Sequence, residues 1–105
     1  MLLFRKKRDI NSAIKEYKRS QNPVLIDVRE GDEYRRGHIA GSINVPMSVL
    51  VTKINKVVFD KDREIYLYCL SGVRSRKAAE ILRSLDYTQV KDIGALKDYR
   101  GVLEK

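Results

Sequence analysis

One cysteine and one histidine are all that this chain offers to disulfide or soft-metal chemistry. With Cys69 alone, no intramolecular disulfide can form and no cysteine-rich zinc site can be built. With His38 as the sole imidazole, a His/Cys metal cluster is excluded too, and no metal or cofactor is expected. Long apolar runs are also missing, none approaching the roughly 18 residues of a membrane span. Met1-Leu2-Leu3-Phe4 gives way at once to Arg5-Lys6-Lys7-Arg8, the reverse of the order in a signal peptide, so the cytoplasm is the expected compartment. Acidic residues are in deficit: Asp and Glu number 14 against 22 Lys and Arg, for a net charge of +8. Such an excess favours anionic partners, namely small oxyanions, acidic proteins, nucleic acid or anionic lipid. Apart from the cluster at residues 5–8 the basic residues are scattered, with no aromatic-interleaved stripe. A solvated basic surface is therefore expected rather than a nucleic-acid site.

What is present suits one soluble domain over residues 1–105, with 43% hydrophobic and 34% charged residues. Ile10, Ala13, Ile14 and Tyr17 recur at helical spacing and predict an amphipathic helix over 9–20, capped by Asp9 or Asn11. Pro23 follows the break, and Val24-Leu25-Ile26-Asp27-Val28 has the continuous apolar character of a strand in a parallel sheet covered on both faces. Residues 30–36 read as a short helix with Gly37 as a left-handed terminator. A brief strand at 43–45 stops at Pro46, and a helix follows over 48–56. Ile65-Tyr66-Leu67-Tyr68 is a strongly strand-forming run that ends at Cys69. The clearest helix comes next, with Ala78, Ile81, Leu82 and Leu85 on its apolar face. A last strand at 90–93 and a helical stretch at 96–103 complete an α/β pattern with a mainly parallel sheet.

A lone cysteine is either a small core filler or a reactive thiol, and composition by itself favours the filler. The surroundings of Cys69 reverse that preference. It ends a strand, where parallel sheets bind ligands, and it is followed by a loop of Leu70, Ser71, Gly72, Val73 and Arg74 leading into a strong helix. A helix N-terminus presents unpaired N–H groups and partial positive charge, and successive loop N–H groups curl into anion-binding nests. Gly72 permits a sharp turn, while Arg74 and Arg76 add permanent charge. Together these features favour a thiolate.

The sequence resembles the rhodanese-like sulfurtransferase family over residues 10–101, on three stretches in order. The first is Asp27-Val28-Arg29-Glu30 with Glu33-Tyr34, Gly37-His38-Ile39, Gly41-Ser42 and Asn44-Val45-Pro46. The second is Cys69-Leu70-Ser71-Gly72-Val73-Arg74-Ser75 with Ala78-Ala79 and Leu82, and the third Ile93-Gly94-Ala95-Leu96 with Tyr99 and Gly101. The resemblance implies a single α/β domain with a mainly parallel sheet of about five strands sandwiched by helices. It implies that Cys69 takes sulfane sulfur from a donor such as thiosulfate as a persulfide and passes it on. The N–H groups of Leu70, Ser71, Gly72, Val73 and Arg74 would cradle the outer sulfur, and Arg74 would close the loop. Asp86, Ala95 and Tyr99 depart from the family's usual Gly, Gly and Trp, away from the cysteine loop.

Cysteine phosphatases resemble Cys, five residues, then Arg; four residues separate Cys69 from Arg74, a ring suited to one sulfur rather than a phosphate. With no second cysteine, sulfur must leave to an external acceptor: a small thiol, a reduced redoxin or a sulfur-carrier protein. Asp27 and Arg29 are supporting candidates, expected above all to hold the loops by hydrogen bonds, and His38 falls in a motif that the family uses structurally. The competing expectation is a rhodanese-like binding, regulatory or redox-sensing module without useful turnover.

Overall fold

The computed structural model describes residues 9–105, so the basic cluster at 5–8 lies outside the described residues. Four segments become β1 (Val24–Asp27), β2 (Ile43–Asn44), β3 (Ile65–Cys69) and β4 (Val90–Ala95), in one parallel sheet ordered β2-β1-β3-β4. The expected count of about five strands is corrected to four among the described residues. The physical reason is in the pattern itself: this stretch holds four strand-forming runs, and its other apolar positions recur at helical spacing. The central strands β1 and β3 are buried at every position.

Side chains alternate across a strand, and the alternation sorts the core into two layers. Ile26, Val28, Ile65, Leu67 and Cys69 join one cluster with Leu50 and Ile54 of α3 (Leu50–Val57) and Ala78 and Leu82 of α4 (Val73–Ser84). Leu25, Tyr66, Tyr68 and Ile93 join the other, with Ile10, Ala13 and Ile14 of α1 (Ile10–Arg19). The tyrosines of β3 are thus core residues. α1 starts where the Asp9 carboxylate accepts the Asn11 N–H at 3.2 Å, and Lys18 and Arg19 occupy its last turn, where positive charge suits the helix dipole.

Local differences from the sequence expectation have local causes. Gly37 ends α2 (Gly31–Arg36) in an extended conformation (φ 158°, ψ 132°) rather than a left-handed one. Side-chain residues rarely adopt that φ, and a Cβ there would also lie 3.2 Å from Leu103, which would have to give way. The helix expected over 48–56 is a 3-10 turn, Met47–Val49, followed by α3. The last strand runs past Ile93 to Ala95: Leu67 pairs with Asp92 and Tyr68 with Gly94, so Ile93 is an extra residue in a bulge. Ala95 then pairs with Cys69, so this departure from the family pattern, expected away from the cysteine loop, lies beside the cysteine because the sheet register brings it there. The expected helix at 96–103 shrinks to a 3-10 turn, Leu96–Asp98. There the Asn11 side chain takes the backbone groups that a helix would use, donating to Asp98 O at 3.0 Å and accepting from Arg100 N at 2.9 Å. The tail then bridges Glu104 to His38.

β1 and β3 are neighbours in register, with Asp27 opposite Tyr68. β2 and β4 flank them on opposite sides. Connections therefore diverge at the carboxyl ends of the central pair, the place where open parallel sheets form ligand crevices. The structure puts Cys69 at this edge. The packing predicts that Leu67→Ala, at a fully buried position of β3, destabilises the fold by about 2–5 kcal/mol. Phe59→Ala, at a position 82% exposed, should change it by less than about 0.5 kcal/mol. Urea unfolding of both variants checks the contrast.

Candidate active site

Cys69 is the last residue of β3, and its side chain takes the face covered by α4. Residues 70–72 turn the chain, and Gly72 completes the turn in the left-handed region (φ 97°) as the N-cap of α4. A side chain is strained in that conformation. The turn reverses the backbone so that Gly72 N donates to Sγ at 3.0 Å and Ser75 N at 3.3 Å. Sγ also lies 3.5 Å from Ser75 Oγ, to which the thiol donates. Cys69 has no exposed surface. Burial alone would mark a core filler, but a filler has no use for two backbone N–H groups aimed at its sulfur. Those donors come from the first turn of a twelve-residue helix, where N–H groups lack intrahelical partners.

The cradle expected from residues 70–74 concerns the outer sulfur of a persulfide; at Sγ itself the donors are Gly72 N and Ser75 N, the latter one residue beyond the loop as read from the sequence. Leu70, Ser71 and Val73 are exposed, with Leu70 O held by Lys97 N at 3.2 Å. Arg74 is committed to a bidentate pair with Glu33 of α2, at 2.6 and 3.0 Å. Arg76 is exposed and lines a groove of about 450 Å³ with Ser71, Gly72, Val73, Lys77 and Glu80. A second groove of about 360 Å³ passes the other side of the loop, where Arg29, Arg36 and Lys97 meet Leu70 and Leu103.

Asp27 and Arg29 form a buried pair, 2.7 Å apart at Nη2 and Oδ2. Burial works against the Arg29 cation, but the hydrogen bonds and charge of Asp27 outweigh it. Arg29 also donates to Gly37 O at 2.7 Å, and Asn44 Nδ2 donates to the carbonyls of Asp27 and Arg29. The pair therefore pins the loop after β1 to the end of α2 and to β2. His38 stacks on Tyr34 at 3.7 Å, with Nδ1 2.8 Å from Tyr34 O, which gives it a packing role. Among the described residues no group of His, Cys, Asp and Glu could hold a metal ion.

Three participants went unread in the sequence. Glu33, partner of Arg74, is one. Ser75 is another: fully buried, it donates to Asp92 Oδ1 at 2.7 Å and lies 3.2 Å from Gly72 O. Asp92 is the third. The available signals were a serine on the sheet-facing side of α4 and an acid in the short strand β4.

The α2–α4 clamp responds to acid. The hydrogen bonds of Arg74, against the opposing effect of burial, hold the Glu33 carboxyl at about 2 rather than 4.5. A lowered carboxylate contributes stability above its unfolded value and loses it as pH falls through the folded one. Glu33→Gln should therefore be less stable than wild type at neutral pH, with the gap closing between pH 4.5 and about 2. Thermal unfolding of both proteins across that range measures it.

Comparison with known proteins agrees with this geometry. The family model for the rhodanese-like domain matches residues 11–99. The chain is 40% identical over 73 residues to the thiosulfate sulfurtransferase PspE of Escherichia coli, spanning 70% of each. It is 31% identical over 81 residues to the putative sulfur carrier protein YrkF of Bacillus subtilis, spanning 76% of this chain and 43% of that protein. Among solved structures, a rhodanese with anions from E. coli matches with a TM-score of 0.74 at 36% identity, over 79% of this chain and 98% of its own. A four-stranded parallel sheet, a cysteine at the end of its central strand and a turn that aims backbone N–H groups at the sulfur thus meet in a chain that belongs to the rhodanese-like family.

Proposed function

We propose that this protein is a sulfurtransferase that carries sulfane sulfur on Cys69 as a persulfide. The observation that supports this most directly is the pair of N–H donors, Gly72 N at 3.0 Å and Ser75 N at 3.3 Å, on a sulfur at the mouth of α4. Fixed donors of this kind stabilise a negatively charged sulfur without reorganising during the reaction. In the first half-reaction the Cys69 thiolate attacks the outer sulfur of thiosulfate, the S–S bond of the donor breaks, and sulfite leaves with its electron pair. In the second, an acceptor nucleophile such as cyanide takes that sulfur and the thiolate leaves.

Arg76 and Lys77 line one groove beside the loop, with Glu80, and Lys97 lines the other, where Arg29 and Arg36 are paired with Asp27 and Asp32; the excess of cations suits an anionic donor. The relative PspE is named for thiosulfate, and the solved E. coli rhodanese holds anions. Cys69 is the only cysteine, so no internal thiol can resolve the persulfide. A thiol, a redoxin or a sulfur-carrier protein is the proposed cellular acceptor, and the cytoplasm is the proposed compartment. Arg74 closes the loop and acts by position, its charge shared with Glu33, while Asp27 and Arg29 support the edge from beneath.

One observation favours a second reading. Sγ has no exposed surface, as a rhodanese-like regulatory or redox-sensing module would tolerate and a donor would have to overcome by parting the 70–72 loop. Mass spectrometry after thiosulfate treatment separates the two: the sulfurtransferase gains one sulfur atom on Cys69, whereas the module gains none from any sulfane donor. In a thiosulfate-to-cyanide assay, wild type should give the parallel double-reciprocal lines of a ping-pong exchange. Cys69→Ser should lose roughly a thousandfold or more of the rate. Equal rates would exclude Cys69 as the nucleophile.

A further inference from the structure

Ser75 Oγ has one proton and three neighbours: Asp92 Oδ1 at 2.7 Å, Gly72 O at 3.2 Å and Cys69 Sγ at 3.5 Å. The first two only accept. A hydroxyl gives its proton to the nearer, charged acceptor, so the Asp92 carboxylate holds it and turns an oxygen lone pair toward the sulfur. Asp92 is itself fixed. Its Oδ1 accepts Gly94 N at 3.1 Å across the β4 bulge, where Gly94 takes a left-handed conformation (φ 87°). From α4, the nearby charge of Arg74 is engaged by Glu33, so the hydroxyl of Ser75, with Asp92 behind it on β4, completes the polar contacts of Sγ after the two backbone donors.

We infer that Asp92 is a positioning residue: by claiming the Ser75 hydroxyl proton, it makes Ser75 an acceptor toward Cys69 and favours the protonated sulfur. This opposes the two backbone donors. The site thus contains a third possible donor to the thiolate, the Ser75 hydroxyl, that Asp92 Oδ1 at 2.7 Å, ahead of Gly72 O at 3.2 Å, keeps turned away. A resting thiol held in this way is less open to oxidation than a thiolate, which matters for a chain with a single cysteine. The inference deepens the proposed function, because it assigns control of the same sulfur, yet it can be tested without any sulfur donor.

The measurement is the thiolate band in the ultraviolet difference spectrum at neutral pH, each protein being referenced to its own Cys69→Ser counterpart. This is an equilibrium reading, insensitive to how easily reagents enter. In Asp92→Asn the side-chain oxygen can still accept both Gly94 N and the Ser75 hydroxyl, but without the charge it holds that proton less firmly against a thiolate. The thiolate-to-thiol ratio should rise about three- to tenfold, the worth of one freed hydrogen bond to a charged sulfur. In a Ser75→Ala background the same change should raise the ratio clearly less, by what loss of the carboxylate charge alone gives, because no hydroxyl remains to turn. Asp92→Ala is measured beside it and should show the same rise and the same dependence on Ser75, with thermal unfolding confirming that each variant is folded. No rise in either Asp92 variant would overturn the inference. So would an equal rise with and without Ser75, which would mean that the carboxylate acts by charge alone. Absence of sulfur uptake from thiosulfate would count against the proposed function and leave this result standing.

Discussion

Removing a sulfur atom from water leaves it with whatever donors the fold supplies, and at Cys69 the fold supplies them from its own backbone. The turn at Gly72 is the constraint behind this. A strand ends, the chain reverses within residues 70–72, and a helix begins with its free N–H groups facing back along the strand. Sheet order then decides where this happens. Because β1 and β3 are the central pair, the sulfur lies at the edge where the loops of both strands gather. The buried Asp27–Arg29 pair and the Arg74–Glu33 clamp fasten those loops to each other.

Two opposing influences meet at one atom. Backbone N–H groups favour negative sulfur, whereas the Ser75–Asp92 chain of hydrogen bonds offers the proton a partner. A site made only of donors would hold a permanently reactive thiolate, and one made only of acceptors would hold an inert thiol. On the inferred role of Asp92, the balance between them depends on which acceptor takes the Ser75 hydroxyl proton. The bulge in β4 is what brings the carboxylate into this balance, since the extra residue, Ile93, lets Asp92 and Gly94 lie opposite consecutive residues of β3.

Much of this was legible beforehand because local chemistry and tertiary packing agree. The continuous apolar runs of β1 and β3 mark strands covered on both faces, and the step from Cys69 to Gly72 to an amphipathic helix marks the site. What stayed hidden depends on partners remote in sequence. Asn11 ends the C-terminal helix before it starts by taking Asp98 O and Arg100 N, across separations of 87 and 89 residues. Gly37 meets two demands at once, a φ of 158° that side-chain residues rarely adopt and the close packing of Leu103, and only the first is local. Glu33, quoted only as part of a family stretch, and Asp92 gain a role once α2 and β4 bring them to Arg74 and Ser75.

The donors at the sulfur are main-chain groups, and that has an evolutionary consequence. Leu70, Ser71 and Val73 project outward from the loop, so their identities can drift without disturbing the N–H groups beneath. Gly72 is exempt from that freedom because its conformation penalises a side chain. Substrate preference and reactivity can therefore diverge independently, the first rewritten on the outside of the turn while the second is inherited unchanged.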